Sequence, residues 1–254
     1  MSNSYEPITQ WQFKLHTNQW EEDCQNIITE KSVALHVNGE HWLNFICSPS
    51  DLEALAIGFL YNEDIITTID QVKTLTMIND ANTINVDLLC VPSRPAQIHR
   101  TSIGIAFNSP LTPTSGQHHF RTTAKALIDL YAQFNANQTL HNSMGGFHSA
   151  ALSDGKQINI SVEDVGRHNA LDKISGHFLL RSKPFIPQVI LLSGRISTEM
   201  IHKAIHCGVS IIVSRTTPTF NAIKTAQNYQ ITLIGYMRKD HFTVYSHPER
   251  IVRE

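Results

Sequence analysis

The sequence predicts an α/β protein, in which a C-terminal unit holds a mixed, mostly parallel sheet and a smaller N-terminal unit is α+β. In the second half of the chain, short apolar strands at residues 189–192, 211–214 and 232–237 alternate with helices. Such strands are buried on both faces, as in βαβ units with helices on either side of a sheet. The first half shows closely spaced strands joined by a tight turn, which is typical of a small α+β unit.

The N-terminal unit begins with a predicted hairpin. An Asn-Gly dipeptide at residues 38–39, which tight hairpins prefer, separates its two strands. The capping-box spacing of Ser50 and Glu53 predicts a helix that begins there and ends at about Asn62. The predicted strands of this unit span residues 32–37, 40–47, 72–77 and 83–89.

A stretch rich in proline, serine and threonine, SPLTPTSGQHH, is typical of a linker. We therefore assign residues 1–108 to the N-terminal unit, 109–120 to the linker and 121–254 to the C-terminal unit. The predicted helices of the C-terminal unit span residues 122–137, 169–181, 197–207 and 219–228, and its predicted hairpin strands span residues 147–152 and 157–162.

Composition excludes several classes of protein. A formal net charge of −2 over 254 residues argues against a generally basic nucleic-acid binder. No apolar run is long enough to span a bilayer, and the first residues lack the features of a secretory signal. We therefore expect a cytoplasmic protein with no nucleic-acid or membrane partner.

The four cysteines, Cys24, Cys47, Cys90 and Cys207, are far apart, and none belongs to a CxxC motif. One interpretation is that each is a small buried residue. The alternative is a reactive or metal-bound thiol.

Three loops that follow predicted strands carry an arginine beside small or hydroxyl residues, directly before a helix. These arginines are Arg167, Arg195 and Arg215. Helix N-termini present free N–H groups, and the planar guanidinium group suits phosphate or carboxylate. Ligands of open α/β sheets bind beyond the carboxyl ends of the strands, so the loops predict a pocket for a phosphate-bearing, nucleotide-like ligand. The alternative is that they are helix caps and surface salt bridges.

Glycine and histidine residues add to this candidate site. Gly145 and Gly146 precede a predicted strand and would let the backbone approach a ligand closely. His148 enters that strand, and His168 lies in the first arginine loop. Each histidine is either a ligand contact or a structural residue with partners inside the protein.

Missing motifs exclude two enzyme classes. Zinc nucleoside deaminases need a histidine or cysteine followed two residues later by glutamate, and then PCxxC. Here Ser149 and Ala150 follow His148, and the chain contains no CxxC. The GxSxG turn of serine hydrolases is also missing. We therefore expect neither a zinc ion nor a serine nucleophile.

Read in order, the loops resemble the FdhD family of formate dehydrogenase accessory proteins. The matching segments are GGFHSAAL at 145–152, EDVGRHNALDK at 163–173, SGRISTEM at 193–200, SRTTPT at 214–219 and TLIGY at 232–236. In the first half, VNGE at 37–40 and DLEALAIGFL at 51–60 are similar to the N-terminal signature of the family. The likeness covers nearly the whole chain from about residue 30.

The resemblance implies a three-layer, cytidine-deaminase-like C-terminal domain that has lost the zinc site. It also implies a role in maturing molybdenum enzymes. Members take persulfide sulfur from a cysteine desulfurase and pass it to the molybdenum bis(molybdopterin guanine dinucleotide) cofactor of formate dehydrogenase. The implied partners are the desulfurase, the formate dehydrogenase apoenzyme and a second copy in a homodimer. The guanine nucleotide arms would occupy the pocket, with GDP or GMP as surrogates.

By this resemblance, the cofactor-binding residues lie in the edge loops and in a segment after the last core strand. They are Gly145, Gly146, His148, Asp164, Gly166, Arg167, His168, Asn169, Asp172, Lys173, Ser193, Gly194, Arg195, Ser197, Ser214, Arg215, Thr217, Pro218, Tyr236, Met237, Arg238, Lys239, Asp240, His241 and Phe242.

One departure concerns the sulfur-carrying cysteines of the family. Members usually carry Cys-Gly-x-Cys-Gly between their two halves, and the corresponding segment here is IGIAF at residues 103–107. Ile103 and Ala106 stand where the cysteines would be, and neither side chain can hold a sulfane sulfur. Cys90 is the nearest cysteine in sequence and the candidate for a substitute.

Three functions therefore stay open. The first is sulfur transfer to the molybdenum cofactor. The second is a non-catalytic protein that holds or delivers the cofactor. The third is a binder or enzyme for guanine nucleotides with no link to molybdenum. The missing cysteine pair favours the second over the first, and the retained loops favour both over a loss of function.

Overall fold

The computed structural model of the chain describes residues 4–90 and 120–253. Ile103, Ala106 and the predicted linker up to residue 119 lie outside the described residues, so the structure does not test the expectations that concern them.

The N-terminal part contains a two-stranded ribbon and a four-stranded sheet. Its elements are β1 (Tyr5–Lys14), β2 (Gln19–Ile28), β3 (Lys31–Val37), β4 (Glu40–Cys47), α1 (Leu52–Asn62), β5 (Val72–Ile78) and β6 (Thr83–Leu88). The ribbon is the antiparallel pair β1-β2, and the sheet has the order β4-β3-β6-β5. The four predicted strands and the helix are confirmed, whereas the ribbon was not predicted.

The start of α1 differs from the prediction. The helix is preceded by Asp51 in the left-handed region (φ 52°), and no side chain caps its first turn. The capping box at Ser50 and Glu53 is therefore wrong. Ser50 and the neighbouring Asp51 make tertiary contacts instead: Asp51 pairs with His177 at 2.9 Å, and Ser50 accepts a hydrogen bond from Lys173.

The C-terminal part is a six-stranded mixed sheet with helices on both faces. Its elements are β7 (Thr122–Thr123), α2 (Ala124–Ala136), α3 (Thr139–Met144), β8 (His148–Ser153), β9 (Ile158–Asp164), α4 (Arg167–Leu180), β10 (Val189–Leu192), α5 (Thr198–His206), β11 (Ile211–Ser214), α6 (Phe220–Asn228), β12 (Thr232–Gly235), β13 (Thr243–Ser246) and β14 (Ile251–Val252). The order is β13-β12-β11-β10-β8-β9, and β7 pairs separately with β14.

The strand directions confirm a mixed sheet and limit its parallel part. Strands β10, β11 and β12 are parallel neighbours, whereas β8, β9 and β13 each pair antiparallel. Antiparallel pairs therefore outnumber parallel ones, contrary to the expected mostly parallel sheet. The cause is that both edges are closed by antiparallel strands, and β13 was not predicted.

Alternating side chains of the central strands build two cores, one on each face of the sheet. Ile190 and Leu192 point to the face covered by α4, α5 and α6. Val189 and Leu191 point to the other face, where they meet apolar side chains of α2. The predicted three-layer arrangement of helices around buried strands is confirmed.

Two glycines let α1 and α4 come into backbone contact. A Cβ added at Gly58 of α1 would lie 1.7 Å from the carbonyl oxygen of Asp172, and one at Gly176 of α4 would lie 1.8 Å from that of Ala54. Since α1 also packs on the four-stranded sheet, this contact joins the N-terminal core to the large sheet. Among the described helices, none is long and apolar enough to cross a membrane.

Candidate functional site

The predicted loops meet at one edge of the large sheet. Strand β9 runs antiparallel to β8, which runs antiparallel to β10, so the carboxyl ends of β9, β10, β11 and β12 share that edge. Direct hydrogen bonds connect the loops. Ser214 Oγ donates to the Gly194 carbonyl at 2.7 Å, and the Thr219 amide donates to the Ile196 carbonyl at 2.9 Å.

A cavity of about 890 Å³ opens between α2 and the loops that follow β11 and β12. Arg215, Met237, Arg238 and Lys239 were predicted and line it. The lining residues that were not predicted are Ile128, Tyr131, Ala132, Asn135, Gln138, Asn142 and Thr216. Most of them belong to α2 or follow it. The spacing of apolar residues in α2 predicts a helix that faces the core, but it gives no sign of a cavity on that side.

Tyr131 fixes the wall between α2 and the Arg215 loop. Its hydroxyl donates to the Leu192 carbonyl at 2.9 Å and accepts from the Arg215 amide at 3.1 Å. Burial raises the pKa of this phenol well above its ordinary value, so the hydroxyl stays protonated and keeps both bonds.

His141, on α3, orients the Arg215 side chain. His141 Nδ1 lies 2.8 Å from the Phe147 carbonyl, which only accepts, so Nδ1 holds the proton. The unprotonated Nε2 then accepts from Arg215 Nη2 at 3.1 Å. Glu163 holds α3 in turn, since its carboxylate accepts from the amides of Leu140 and His141 at 2.9 and 2.8 Å. Neither His141 nor Glu163 was predicted, because their pairing depends on tertiary contact.

A second group of basic residues, His148, Arg167 and Arg195, lies around Gly194. A Cβ at Gly194 would lie 3.0 Å from His148 Nδ1 and 3.6 Å from Arg167 Cβ, so the loop lies close to both side chains. Burial and then the Arg167 charge lower the pKa of His148, which is therefore neutral at pH 7. Burial and the nearby Arg195 also lower the pKa of Arg167.

This group holds two buried polar atoms without a partner among the described residues, Arg167 Nε and Ser197 Oγ. Ser197 precedes the first turn of α5, yet its side chain caps no backbone amide. Buried donors normally find partners, so a group that accepts hydrogen bonds suits this place.

His168 instead turns towards α5. Its Nε2 lies 3.4 Å from the Glu199 carboxylate, and burial lowers its pKa to about 4. The neutral ring is largely buried, and its Nε2 has no hydrogen-bond partner among the described residues.

Four other predicted residues form a buried network between the two units. Lys173 pairs with Asp164 at 2.6 Å, Asp172 pairs with Lys203 at 2.8 Å, and the Asn169 amide donates to the Ile46 carbonyl at 2.7 Å. Ser48 and Asn62 of the N-terminal part donate to Asp164 and Asp172 at 3.0 and 2.8 Å. These side chains hold the units together, and their polar atoms are engaged inside the chain.

The remaining predicted residues surround the edge loops. Gly145 and Gly146 have φ of 72° and 71°, which favours glycine before β8. Asp240 and His241 are exposed and pair with each other at 2.8 Å, while Phe242 packs against the core on the α2 face. The others shape the loop backbone: Gly166, Ser193, Thr217, Pro218 and Tyr236.

The site has a surplus of positive charge. Among the described residues, no carboxylate lies within ion-pair distance of Arg195, Arg215, Arg238 or Lys239. Arg238 instead donates to the Arg215 and Met237 carbonyls at 2.8 and 2.9 Å. Within residues 4–90 and 120–253, no group of three or more histidine, cysteine, aspartate or glutamate side chains could hold a metal ion. The arrangement suits an anion with several phosphate or carboxylate groups.

The chain is similar to known proteins over most of its length. The model of the FdhD/NarQ family matches residues 28–252. "Sulfur carrier protein FdhD" of Staphylococcus haemolyticus (strain JCSC1435) is 34% identical over 242 residues, covering 88% of this chain and 89% of the relative. The protein of the same name from Staphylococcus aureus (strain MRSA252) is 33% identical over 244 residues, covering 89% of each.

A solved structure shows the same fold. A candidate formate dehydrogenase accessory protein from Desulfotalea psychrophila superposes with a TM-score of 0.80 at 20% identity, covering 98% of this chain and 100% of that one.

Proposed function

The chain belongs to the FdhD/NarQ family, and we propose that it serves formate dehydrogenase as an accessory protein by binding a phosphate-rich, nucleotide-like cofactor. The observation that supports the proposal is the positive charge at the edge of the large sheet, where no carboxylate of the described residues pairs with Arg195, Arg215, Arg238 or Lys239. Guanidinium groups without carboxylate partners, beside the start of a helix, are what phosphate groups bind.

The cavity suits the nucleotide part of such a cofactor. Its volume of about 890 Å³ lies within the usual range for small-molecule sites. Ile128 and Met237 offer apolar wall for a base, while Arg215, Arg238 and Lys239 offer charge for phosphates. The second cation group, Arg167 and Arg195, would meet a further anionic group. A cargo with guanine nucleotide arms, such as molybdenum bis(molybdopterin guanine dinucleotide), presents this combination.

Replacing Arg215 or Arg195 by alanine is expected to weaken the binding of GDP. Each change removes a charge-assisted hydrogen bond to phosphate, which contributes about 1–3 kcal/mol to the free energy of binding. Isothermal titration calorimetry of the two variants and the wild type measures the difference.

Arg181→Ala is the matched control. Arg181 follows the end of α4, at the opposite edge of the sheet from Arg167, and donates to the Lys183 and Asn159 carbonyls. Its variant should bind GDP like the wild type. Unchanged affinity in both site variants would remove their assignment as phosphate ligands. Equal affinity for GDP and the intact cofactor would favour a guanine-nucleotide binder without a link to molybdenum.

Sulfur transfer is the second candidate function, favoured by the name of the relatives. Cys47 and Cys207 are buried, as predicted, and burial raises the pKa of Cys207 to about 11, which leaves the thiol protonated. The same prediction is wrong for Cys24 and Cys90, which are exposed. Any persulfide on the described residues would therefore form on Cys24 or Cys90.

We expect no stable gain of sulfur when the protein is incubated with a cysteine desulfurase and cysteine. The residues that correspond to the family's sulfur carriers, Ile103 and Ala106, have no thiol. Intact-mass spectrometry measures the result. A gain of one sulfur atom that a thiol reverses, and that Cys90→Ser abolishes, would establish transfer through Cys90 and overturn the non-catalytic role.

A further inference from the structure

The α2 wall of the cavity changes from apolar to polar along its length. The residues of α2 that line the cavity recur at helical spacing, so one face of the helix forms the wall: Ile128, Tyr131, Ala132 and Asn135. Gln138 and Asn142 continue the wall beyond the end of α2. Three amide side chains, those of Asn135, Gln138 and Asn142, therefore lie together at one end of an apolar stripe.

Hydrogen bonds inside the wall fix the orientation of the three amides. Gln138 Nε2 donates to Asn135 Oδ1 at 3.2 Å, and Asn142 Nδ2 donates to the Asn135 carbonyl at 2.9 Å. Within residues 4–90 and 120–253, no donor reaches the side-chain oxygen of Gln138 or of Asn142, and Asn135 Nδ2 has no acceptor. These two oxygens and this nitrogen are left for a ligand.

Gln138 is the strongest sign that a ligand meets this end of the cavity. The residue is only 1% exposed, yet it lines the cavity. Its amide oxygen finds no donor in the part of the chain that the structure describes. Buried polar groups normally have a partner, because the loss of contact with water must be compensated. An N–H group of a ligand would supply the missing partner.

We propose that Asn135, Gln138 and Asn142 select the base of the bound nucleotide and favour guanine, an inference that rests on the proposed nucleotide binding. The Watson–Crick edge of guanine carries two neighbouring donors, N1–H and the 2-amino group, beside the O6 acceptor. The side-chain oxygens of Gln138 and Asn142 accept from the two donors, and Asn135 Nδ2 donates to O6. Ile128 and Met237 cover the apolar faces of the base.

Adenine does not match the same three amides. Its Watson–Crick edge carries one donor, the 6-amino group, beside N1, which only accepts, and position 2 has no amino group. One amide oxygen would therefore stay without a donor and another would face the lone pair of N1. A site of this kind rejects a ligand that leaves its buried polar groups unpaired.

Base selection is separable from phosphate binding. Arg215, Arg238 and Lys239 line the same cavity, and GDP and ADP carry identical phosphate groups. The three cations therefore contribute equally to the binding of both nucleotides, and a difference in affinity reports the amide end of the wall.

Isothermal titration calorimetry with GDP, ADP and IDP tests the selection on the wild type, without any variant. The loss of one hydrogen bond to a buried group weakens binding by about tenfold. GDP should therefore bind about 100-fold more tightly than ADP, which lacks both donor contacts. IDP lacks only the 2-amino group and should bind about tenfold more weakly than GDP.

Two variants assign the selection to single side chains. Gln138→Met keeps the length of the side chain and removes its oxygen, so it should weaken GDP binding by about tenfold and leave ADP binding unchanged. Asn142→Ala should make the affinities for GDP and IDP nearly equal, because the 2-amino group loses its acceptor. Gln133→Met, at an exposed position of α2 away from the cavity, is the matched control and should change neither affinity.

The outcomes distinguish base selection from nucleotide binding. Equal affinity of the wild type for GDP and ADP would overturn the selection and leave the proposed function in place. The same holds if Gln133→Met weakens GDP binding as much as Gln138→Met does. A wild type that binds neither GDP nor ADP would contradict the proposed function itself, and the selection with it.

Discussion

Replacing Lys173 by methionine is expected to lower the free energy of unfolding by about 3–5 kcal/mol, the usual cost of leaving one member of a buried ion pair without its partner. Lys173 Nζ lies 2.6 Å from Asp164 Oδ2, and both side chains are fully buried. Methionine has a similar length and fills the space. The Asp164 carboxylate, however, stays buried without a countercharge.

Three hydrogen bonds limit the loss. Asp164 also accepts from the amides of Ser48 and Gly166 and from the Asn169 side chain, at 3.0, 2.8 and 2.9 Å. Adding Asp164→Asn to Lys173→Met removes the unpaired charge, so the double variant should recover part of the stability. Urea denaturation of the three variants measures these differences.

Lys125→Met is the matched control. Lys125 pairs with Asp129 at the same distance of 2.6 Å, but both side chains are more than half exposed. Exposed pairs one helical turn apart contribute only about 0.3–0.5 kcal/mol. Equal destabilisation by Lys173→Met and Lys125→Met would show that the buried pair contributes no more to stability than the exposed one.

Replacing Gly176 by alanine is expected to destabilise the protein by about 3 kcal/mol or more, beyond the ordinary range of overpacking. The added Cβ would lie 1.8 Å from the Ala54 carbonyl oxygen, and backbone of a packed helix cannot move aside as a side chain does. Helix propensity alone predicts the opposite sign, because alanine favours a helix interior over glycine by about 1 kcal/mol.

Gly58→Ala tests the same contact from α1, where the added Cβ would lie 1.7 Å from the Asp172 carbonyl oxygen. Each change forces α1 and α4 apart, so the double variant should lose less than the two single losses together. Glu53→Ala, on the exposed side of α1, is the control and should change the melting temperature little. Melting temperatures of Gly58→Ala or Gly176→Ala equal to that of this control would contradict the close helix contact.

Local sequence features predicted the elements well where the burial of apolar side chains alone decides the structure. The β10 and β11 bounds agree with the prediction, because runs of four and three apolar residues favour strands that are buried on both faces. Helix and strand ends next to tertiary contacts were less predictable. Thr122 and Thr123, expected in a helix, pair with β14 instead, and Thr123 caps α2 by accepting from Ala126.

The sequence of the ribbon β1-β2 carries a strand pattern. Apolar residues alternate from Tyr5 to Phe13, which is typical of a strand with one apolar face. Polar residues alternate with the apolar ones on both strands, so the mean hydropathy of the segment does not reveal the pattern.

The sequence by itself determined which loops surround the site, since apolar strands and intervening helices place the arginine loops at the carboxyl edge of one sheet. Only the tertiary structure decided which polar side chains in those loops are free for a ligand. In the part of the chain that the structure describes, no carboxylate pairs with Arg195 or Arg215, whereas Asp164 and Lys173 are buried against each other. The reason is that burial and partners come from distant segments: Asp164 accepts from Ser48, 116 residues earlier in the chain.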